Sequence, residues 1–535
     1  MRYVTRGAYR IALVLTGLAW GCGNTDNPSS RVSPTGTGAS ASGGSAAGGM
    51  TIALGGAGGT MTALGGTGGG PSAGAGGEAV RAEGAAQWIV FTTPDGFYAY
   101  DAHNYPAENA AIRLGETTSN SLTGTYGPDW SPDGKHVAGV TGDSLVVWDM
   151  SGVTPSTGTV LVTGLKRGGD AVTTQWAADN RILFLKQDKT LVALDSRVAM
   201  PEQRVITSSV LFFSRAPQGD GLIYDDDSGM NFVHVPGGVP GQPQHVEELS
   251  ADWQWSPDGV HFGTEGQSVK IFDTGGAELV STDVLALMRM FAASPSFSGD
   301  GSHFAFNAGD GTGTLMYGSV AAPASVKPLN GAMAGSEGRA SRWHPSKPSI
   351  AYNVAYPPAF QATGEWVVAD VSGAEPGAPV AIPVAGVFDG WLDADRLLMI
   401  DEPHQQLTLV DMAAKPPSAA PFTAVPEGGI AYESVSPDGK VLAFATEAKL
   451  YFADMSAPAT PPLSVSPGGQ DDGLPYFAWT ADGKYLVVNV ESDKFTKASL
   501  KLARIEGQKL SPLVTIMPPR PVQGFGWALQ PAPRN

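Results

Sequence analysis

The residues able to do chemistry fall into a few small sets. His136, His261 and His303 each stand six residues after a repeated aromatic anchor, and imidazoles recurring at one site of a ring can converge on a metal. Other units carry Ser349, Val441 or Tyr485 at that site, so a half-exposed strand position accounts for it without a ligand role. His103, His234, His245, His344 and His404 are scattered. The run Asp225-Asp226-Asp227-Ser228-Gly229 has the oxygen density for calcium, but the later glutamate of an EF-hand loop is missing, and the run reads as a polar β-turn. Asp300-Gly301 and Asp310-Gly311 read as hairpin turns too. Cys22 is the only cysteine, which excludes an intramolecular disulfide and a zinc site built on several thiolates. The sequence therefore assigns no catalytic, metal-binding or cofactor-binding residue and implies no cofactor.

The elements that must hold these groups announce themselves by repetition. Trp130-Ser131-Pro132-Asp133-Gly134-Lys135 precedes the apolar run His136–Val140, and the phrase returns at Trp255-Ser256-Pro257-Asp258-Gly259 and Val435-Ser436-Pro437-Asp438-Gly439-Lys440. Looser copies are Phe297-Ser298-Gly299-Asp300-Gly301, Trp343-His344-Pro345-Ser346-Lys347 and Trp479-Thr480-Ala481-Asp482-Gly483-Lys484. Proline fixes φ at the second position of such a turn, aspartate bonds local backbone, and glycine accepts positive φ. The anchors recur at about 42 to 46 residues or multiples of that, the period of a propeller or solenoid. Around Trp130 the pattern predicts four short strands, which is one propeller blade. Trp176, Phe213 and Trp391 mark three more units whose turns are less regular.

The two ends supply a tenth unit. Trp88–Thr92, Phe97–Asp101 and Ala111–Leu114 read as three strands lacking a first, and Gly524–Leu529 reads as a first strand lacking three. The fold class expected is all-β: a single propeller of about ten four-stranded blades, closed by pairing of N- and C-terminal strands. Eight or nine blades would result if a weak unit were a long loop. The repeated tryptophans suit packing between blades better than carbohydrate stacking. Trp253, two residues before Trp255, is an extra aromatic, and Val354–Phe360 reads as a long loop between blade strands and a candidate contact surface.

The N-terminal segment reads as an address. Arg2, Arg6 and Arg10 lead into the apolar run Ile11–Trp20, too short to span a bilayer and matched to a secretory signal. Leu18-Ala19-Trp20-Gly21-Cys22 resembles a bacterial lipobox, with Ala19 where that family usually places an aliphatic residue. The resemblance implies lipidation of Cys22, and Gly23 after it implies sorting to the outer membrane. Residues 1–21 are expected to be the lipoprotein signal peptide, 22–87 the lipidated cysteine and a disordered tether, and 88–535 the propeller domain. The Gly/Ala/Ser-rich tether has too little apolar surface to offset ordering entropy. A coil of that length has a root-mean-square span of roughly 40–50 Å.

The turn phrase resembles the WD40-like propeller repeats of the TolB family, over roughly residues 88–532. That resemblance implies a scaffold and a bacterial envelope setting. The chain differs from TolB itself in carrying a tether where TolB has an α/β domain. Prolyl-oligopeptidase-like peptidases also use a propeller, but they need a Gly-x-Ser-x-Gly elbow carried by an α/β-hydrolase domain, and the one such spacing here, Gly70-Pro71-Ser72-Ala73-Gly74, falls in the Gly/Ala/Ser-rich tether and opens no helix. Lys and Arg total 33 against 51 Asp and Glu, a net charge of −18, and such a surface repels phosphate backbones, so no nucleic-acid partner is expected. The function expected is a non-enzymatic, outer-membrane-anchored lipoprotein whose propeller binds an envelope protein or glycan. The alternatives are an enzyme of lactonase, lyase or cyclase type using the central channel, and an assembly component resembling the Tol system.

Overall fold

Every copy of the turn phrase joins the first two strands of an antiparallel sheet, four-stranded in every blade but the last, which has a fifth short strand. The computed structural model describes residues 86–108, 110–116, 128–165, 173–247, 252–265, 268–286, 295–308, 314–329, 341–354, 365–401, 406–424, 432–446, 449–457, 460–466, 476–492, 496–506, 509–522 and 525–532. They form ten sheets, each an up-and-down meander, with two short 3₁₀ turns as the only helix among the described residues.

Blade 2 has strands Asp129–Trp130, His136–Thr141, Ser144–Asp149 and Thr159–Val162. Blade 3 has Thr173–Trp176, Arg181–Leu185, Leu191–Asp195 and Arg204–Thr207, and blade 4 has Phe212–Arg215, Gly221–Asp226, Gly229–His234 and Gln244–Glu247. The first strands of blades 5 to 10 are Asp252–Trp255, Ser296–Phe297, Ser341–Trp343, Val387–Trp391, Tyr432–Val435 and Tyr476–Trp479. Blade 1 is the split unit. Its strands Trp88–Thr93, Gly96–Asp101 and Ile112–Gly115 take their innermost partner from the C-terminal end, Gly526–Leu529, in the register Ile89↔Leu529 to Thr92↔Gly526. Blade 10 adds a short strand, Lys509–Leu510, that the sequence did not announce.

The turn phrase is a hydrogen-bonded lock. Ser131 Oγ donates to Asp133 Oδ1 (2.6 Å) and accepts from the His136 backbone N–H (2.9 Å), while Asp133 Oδ1 also accepts from Lys135 N–H (3.0 Å). Gly134 turns the chain at φ 66° and donates to the Ser131 carbonyl (2.9 Å), a conformation that suits glycine. Burial works against ionisation of Asp133, but the Ser131 and Lys135 bonds still hold its carboxyl below the usual range. The same bonds recur at Ser298/Asp300, Ser436/Asp438 and Thr480/Asp482. These serines and aspartates are consumed by geometry.

Ten hydrophobic clusters lie between the blades and close the ring. Trp130 and Val137 of blade 2 pack on Trp88 and Phe97 of blade 1. Trp176 and Ile182 of blade 3 pack on Ala138 and Leu145 of blade 2, and successive clusters join each later pair. The last cluster sets Tyr485, Val487 and Leu500 of blade 10 against Ile89, Phe91 and Tyr100 of blade 1. Buried Trp and Phe side chains of this kind each contribute about 3–5 kcal/mol when truncation to Ala is the measure. The indoles also stitch neighbouring first strands. Trp176 Nε1 donates to the Asp129 carbonyl (3.0 Å), Trp343 Nε1 to Ser296 (3.1 Å) and Trp479 Nε1 to Ser434 (3.2 Å). Such contact between first strands is what the innermost strands of a ring make.

Candidate functional site

One backbone bond fixes which residue is the anchor in each blade. The residue after the anchor donates its N–H across the turn to the start of the second strand, as Ser131 does to His136 (2.9 Å). By this criterion the anchors are Trp130, Trp176, Arg215, Trp255, Phe297, Trp343, Trp391, Val435, Trp479 and Leu529. Nine are apolar and one is a cation. Blade 4 uses Ala216 N–H to Gly221 O (2.8 Å), so its anchor is Arg215, and Phe213 lies two residues earlier in the buried seam between blades 3 and 4. The sequence carried the signal: Ala216-Pro217-Gln218-Gly219 is Ser-Pro-Asp-Gly with two positions altered, and Gly219 has φ 78° where Gly134 has 66°.

Arg215 borders a cavity of about 590 Å³ between blades 3 and 4. Ala177, Asp179, Arg181 and Leu183 of blade 3 form one wall, and Arg215, Asp220, Leu222 and Val235 of blade 4 the other. Pro236, Gly237 and Gly238 make its rim. Arg215 Nη1 donates to the carbonyls of Ala216 (2.8 Å) and Pro217 (3.2 Å). Arg181 forms an ion pair with Asp179. A Cβ on Gly238, whose φ is 78°, would lie 3.0 Å from Arg181 Cδ, so the glycine lets that side chain cross the rim. Asp220 Oδ1 meets His234 Nδ1 at 2.8 Å. The cleft is thus an apolar slot with two guanidinium and two carboxylate groups in its walls.

Asp129 lies on the first strand of blade 2, fully buried, and neither carboxylate oxygen has a hydrogen-bond partner among the described residues. Burial pushes its pKa up to about 7, against the opposing pull of the Arg215 guanidinium and the Trp130 backbone. Glu491, on the second strand of blade 10, is also buried and raised by burial. Groups of this kind are candidates for function because desolvated charge is costly unless used. Nothing in the sequence distinguishes Asp129 from a surface aspartate, because its burial is created by neighbouring blades.

The residues singled out from sequence serve the frame. His344 Nδ1 accepts from the N–H groups of Ser346 (3.1 Å) and Lys347 (3.0 Å), Nε2 lies 2.7 Å from the Ala394 carbonyl, and burial pushes its pKa down. His303 Nδ1 lies 2.7 Å from Ser302 Oγ, and His136 stands 3.8 Å from Asp133. Among the described residues no three of His, Cys, Asp and Glu gather as a metal site. Asp226 accepts from the Ser228 N–H (2.8 Å) and hydroxyl (2.6 Å), the hairpin turn expected. Trp253 is buried between blades 4 and 5. Cys22, His404, Asp310 and residues 355–360 lie outside the described residues.

No protein-family model matches the chain, and no curated protein sequence does. Solved structures do match in shape. A crystal structure of the eukaryotic initiation factor aligns at 10% identity and a TM-score of 0.50, covering 84% of this chain and 100% of that one. The dihydro-heme d1 dehydrogenase NirN in complex with DHE aligns at 14% identity and a TM-score of 0.40, covering 84% and 77%. Hsv2 of Kluyveromyces lactis aligns at 9% identity and a TM-score of 0.33, covering 60% and 98%. At these identities a likeness concerns the fold alone. The class defined is a ten-bladed β-propeller.

Proposed function

We propose that this protein is an outer-membrane lipoprotein, held by acyl chains on Cys22, whose TolB-like propeller is a binding scaffold for an envelope partner. The observation that carries the scaffold reading is Arg215. The turn residues repeat because every blade needs them, whereas a guanidinium at one anchor in ten departs from the apolar rule and lines a cleft between blades 3 and 4. Local rules are broken where function requires it. The anchor reading is supported by the apolar run ending at Gly21-Cys22 and by the Gly/Ala/Ser-rich tether after it. Acyl chains add membrane affinity of about 0.8 kcal/mol per buried methylene.

Growth with radioactive palmitate tests the anchor: label in the wild type and none in Cys22→Ser is expected, and an unlabelled wild type would sink it. Cross-linking in envelope extract tests the scaffold, with one reproducible partner band expected and none counting against it.

A further inference from the structure

We propose, resting on the scaffold reading, that the cleft between blades 3 and 4 binds an uncharged sugar unit, with Asp220 and Arg181 bonding its hydroxyls. The charges around the cleft are already matched. Asp179 pairs with Arg181, and Asp220 Oδ1 meets His234 Nδ1 at 2.8 Å. The other ring nitrogen of His234 lies 3.1 Å from the Gly276 carbonyl. Arg215 belongs to the lip. In other blades the carbonyl after the anchor accepts from the turn glycine, as at Gly134, Gly259, Gly301, Gly439 and Gly483. In blade 4 that carbonyl, of Ala216, accepts from Arg215 Nη1, and so does Pro217 O. The Arg215 charge is also drawn to the buried carboxyl of Asp129 on blade 2. Two cations therefore stand with three carboxyls, one of them pushed towards its neutral form by burial. A charged ligand would have to break one of these pairs and strand its partner, which is unfavourable in a partly closed site.

Paired groups still bond neutral ones. A carboxylate has about four acceptor sites and a guanidinium five N–H donors, and bonds from either to an uncharged partner are strengthened by the charge. A hydroxyl donates and accepts through one atom, which suits a wall carrying both kinds of group. Ala177, Leu183, Leu222 and Val235 supply apolar surface beside them. A sugar ring combines the two needs, with hydroxyls at its edge and C–H groups on its face. Gly219, Gly237 and Gly238 leave the lip without side chains, and a Cβ on Gly219 would meet nothing within 4 Å. The volume of about 590 Å³ falls in the size class of small-molecule sites. A free sugar and the end of an envelope glycan share this chemistry.

Isothermal titration of the full-length protein decides it. The neutral probes are glucose, galactose, N-acetylglucosamine and its trimer, and the charged counterparts are glucosamine and glucuronate. At least one neutral sugar should bind roughly tenfold more tightly than either charged sugar. Tighter binding of the trimer than of N-acetylglucosamine identifies a glycan end, and equal binding a free sugar. The Asp220 side chain is 41% exposed, so Asp220→Asn should fold and melt as the wild type does. It should lose roughly tenfold in neutral-sugar affinity and gain in glucuronate relative to glucose, a change of preference that mere loss of structure would not give. Arg181→Met should weaken neutral-sugar binding too and shift preference towards glucosamine. Tightest binding of a charged sugar by the wild type, full neutral-sugar affinity in both variants, or no neutral sugar bound at millimolar concentration would each overturn the proposal. Cross-linking to the envelope partner that persists without sugar binding would leave the scaffold reading standing, and loss of both would remove it.

Discussion

Gln175 holds Arg215 by its backbone from the neighbouring blade. Gln175 Oε1 accepts the Arg215 N–H at 3.2 Å, and Gln175 Nε2 donates to the carbonyl of Phe213 at 3.2 Å. An innermost strand has one edge without a ladder partner, and its backbone groups still need hydrogen bonds. Trp176, the next residue, faces the other way and bonds the Asp129 carbonyl. Two adjacent side chains of blade 3 therefore tie blades 2 and 4 together beside the cleft.

Replacing Gln175 by Ala removes both bonds and frees the strand that carries Arg215. The expected loss is about 1–2 kcal/mol of stability, read as a lower urea midpoint at unchanged slope. An unchanged midpoint would show that solvent replaces the glutamine without cost.

The turn at Phe297 departs from the repeated phrase for a reason that sequence conceals. Its second position is Gly299, where other blades have Pro132, Pro257 and Pro437. A Cβ there would lie 1.9 Å from the Pro345 carbonyl oxygen in the next blade's turn. Restoring the repeated proline by Gly299→Pro should therefore destabilise, by about 2–3 kcal/mol. Gly439→Ala meets nothing within 4 Å and suffers only from its φ of 71°, at a cost of about 1 kcal/mol. Melting temperatures in the order wild type, Gly439→Ala, Gly299→Pro are expected, and a stabilised Gly299→Pro would refute the steric account.

Blade number and ring closure were readable in the sequence because the turn chemistry is local. Ser131, Asp133 and Gly134 bond within six residues, so the same residue types recur at each blade. The half-units at Trp88 and Trp527 complement one another for the same reason. Arg215 was missed because Phe213 is aromatic and drew the anchor assignment to itself, although the Ala-Pro-Gln-Gly turn marks the true position. Asp129 was missed because its burial depends on residues 47 and more positions away, such as Trp176. The cleft is a property of two blades and has no signature in either alone.

Closure by the C-terminal strand predicts a complementation experiment. Without residues 525–535, strand Trp88–Thr93 loses the partner that covers Ile89 to Thr92. An exposed strand edge of this kind pairs with other chains. The shortened protein should associate in a concentration-dependent way on size-exclusion chromatography. A synthetic peptide of residues 523–532 should restore the monomer by strand addition. A shortened protein that stays monomeric with wild-type stability would mean that the interface between blades 10 and 1 closes the ring without this strand.

The buried carboxyl of Asp129 gives the ring a pH dependence of definite sign. An unfolded aspartate releases its proton near pH 4, whereas Asp129 in the ring keeps it up to about 7. Between those values the folded state binds more protons than the unfolded state, so this group's contribution is full below about pH 4. It declines as pH rises to about 7 and is flat above that. The decline amounts to a few kcal/mol, on the order of 1.4 kcal/mol per pKa unit, and the Arg215 guanidinium acts against it. Asp195, held at about 2 chiefly by its hydrogen bonds from Arg197, works in the opposite sense and loses its contribution as pH falls below about 4. The two windows separate when Asp129→Asn is compared with wild type, since the amide keeps the shape and carries no titrating proton. Urea unfolding from pH 4 to 8 should show the variant gaining on the wild type throughout the climb to pH 7. A difference that stays constant with pH would mean that Asp129 titrates as an ordinary carboxylate and is reached by water.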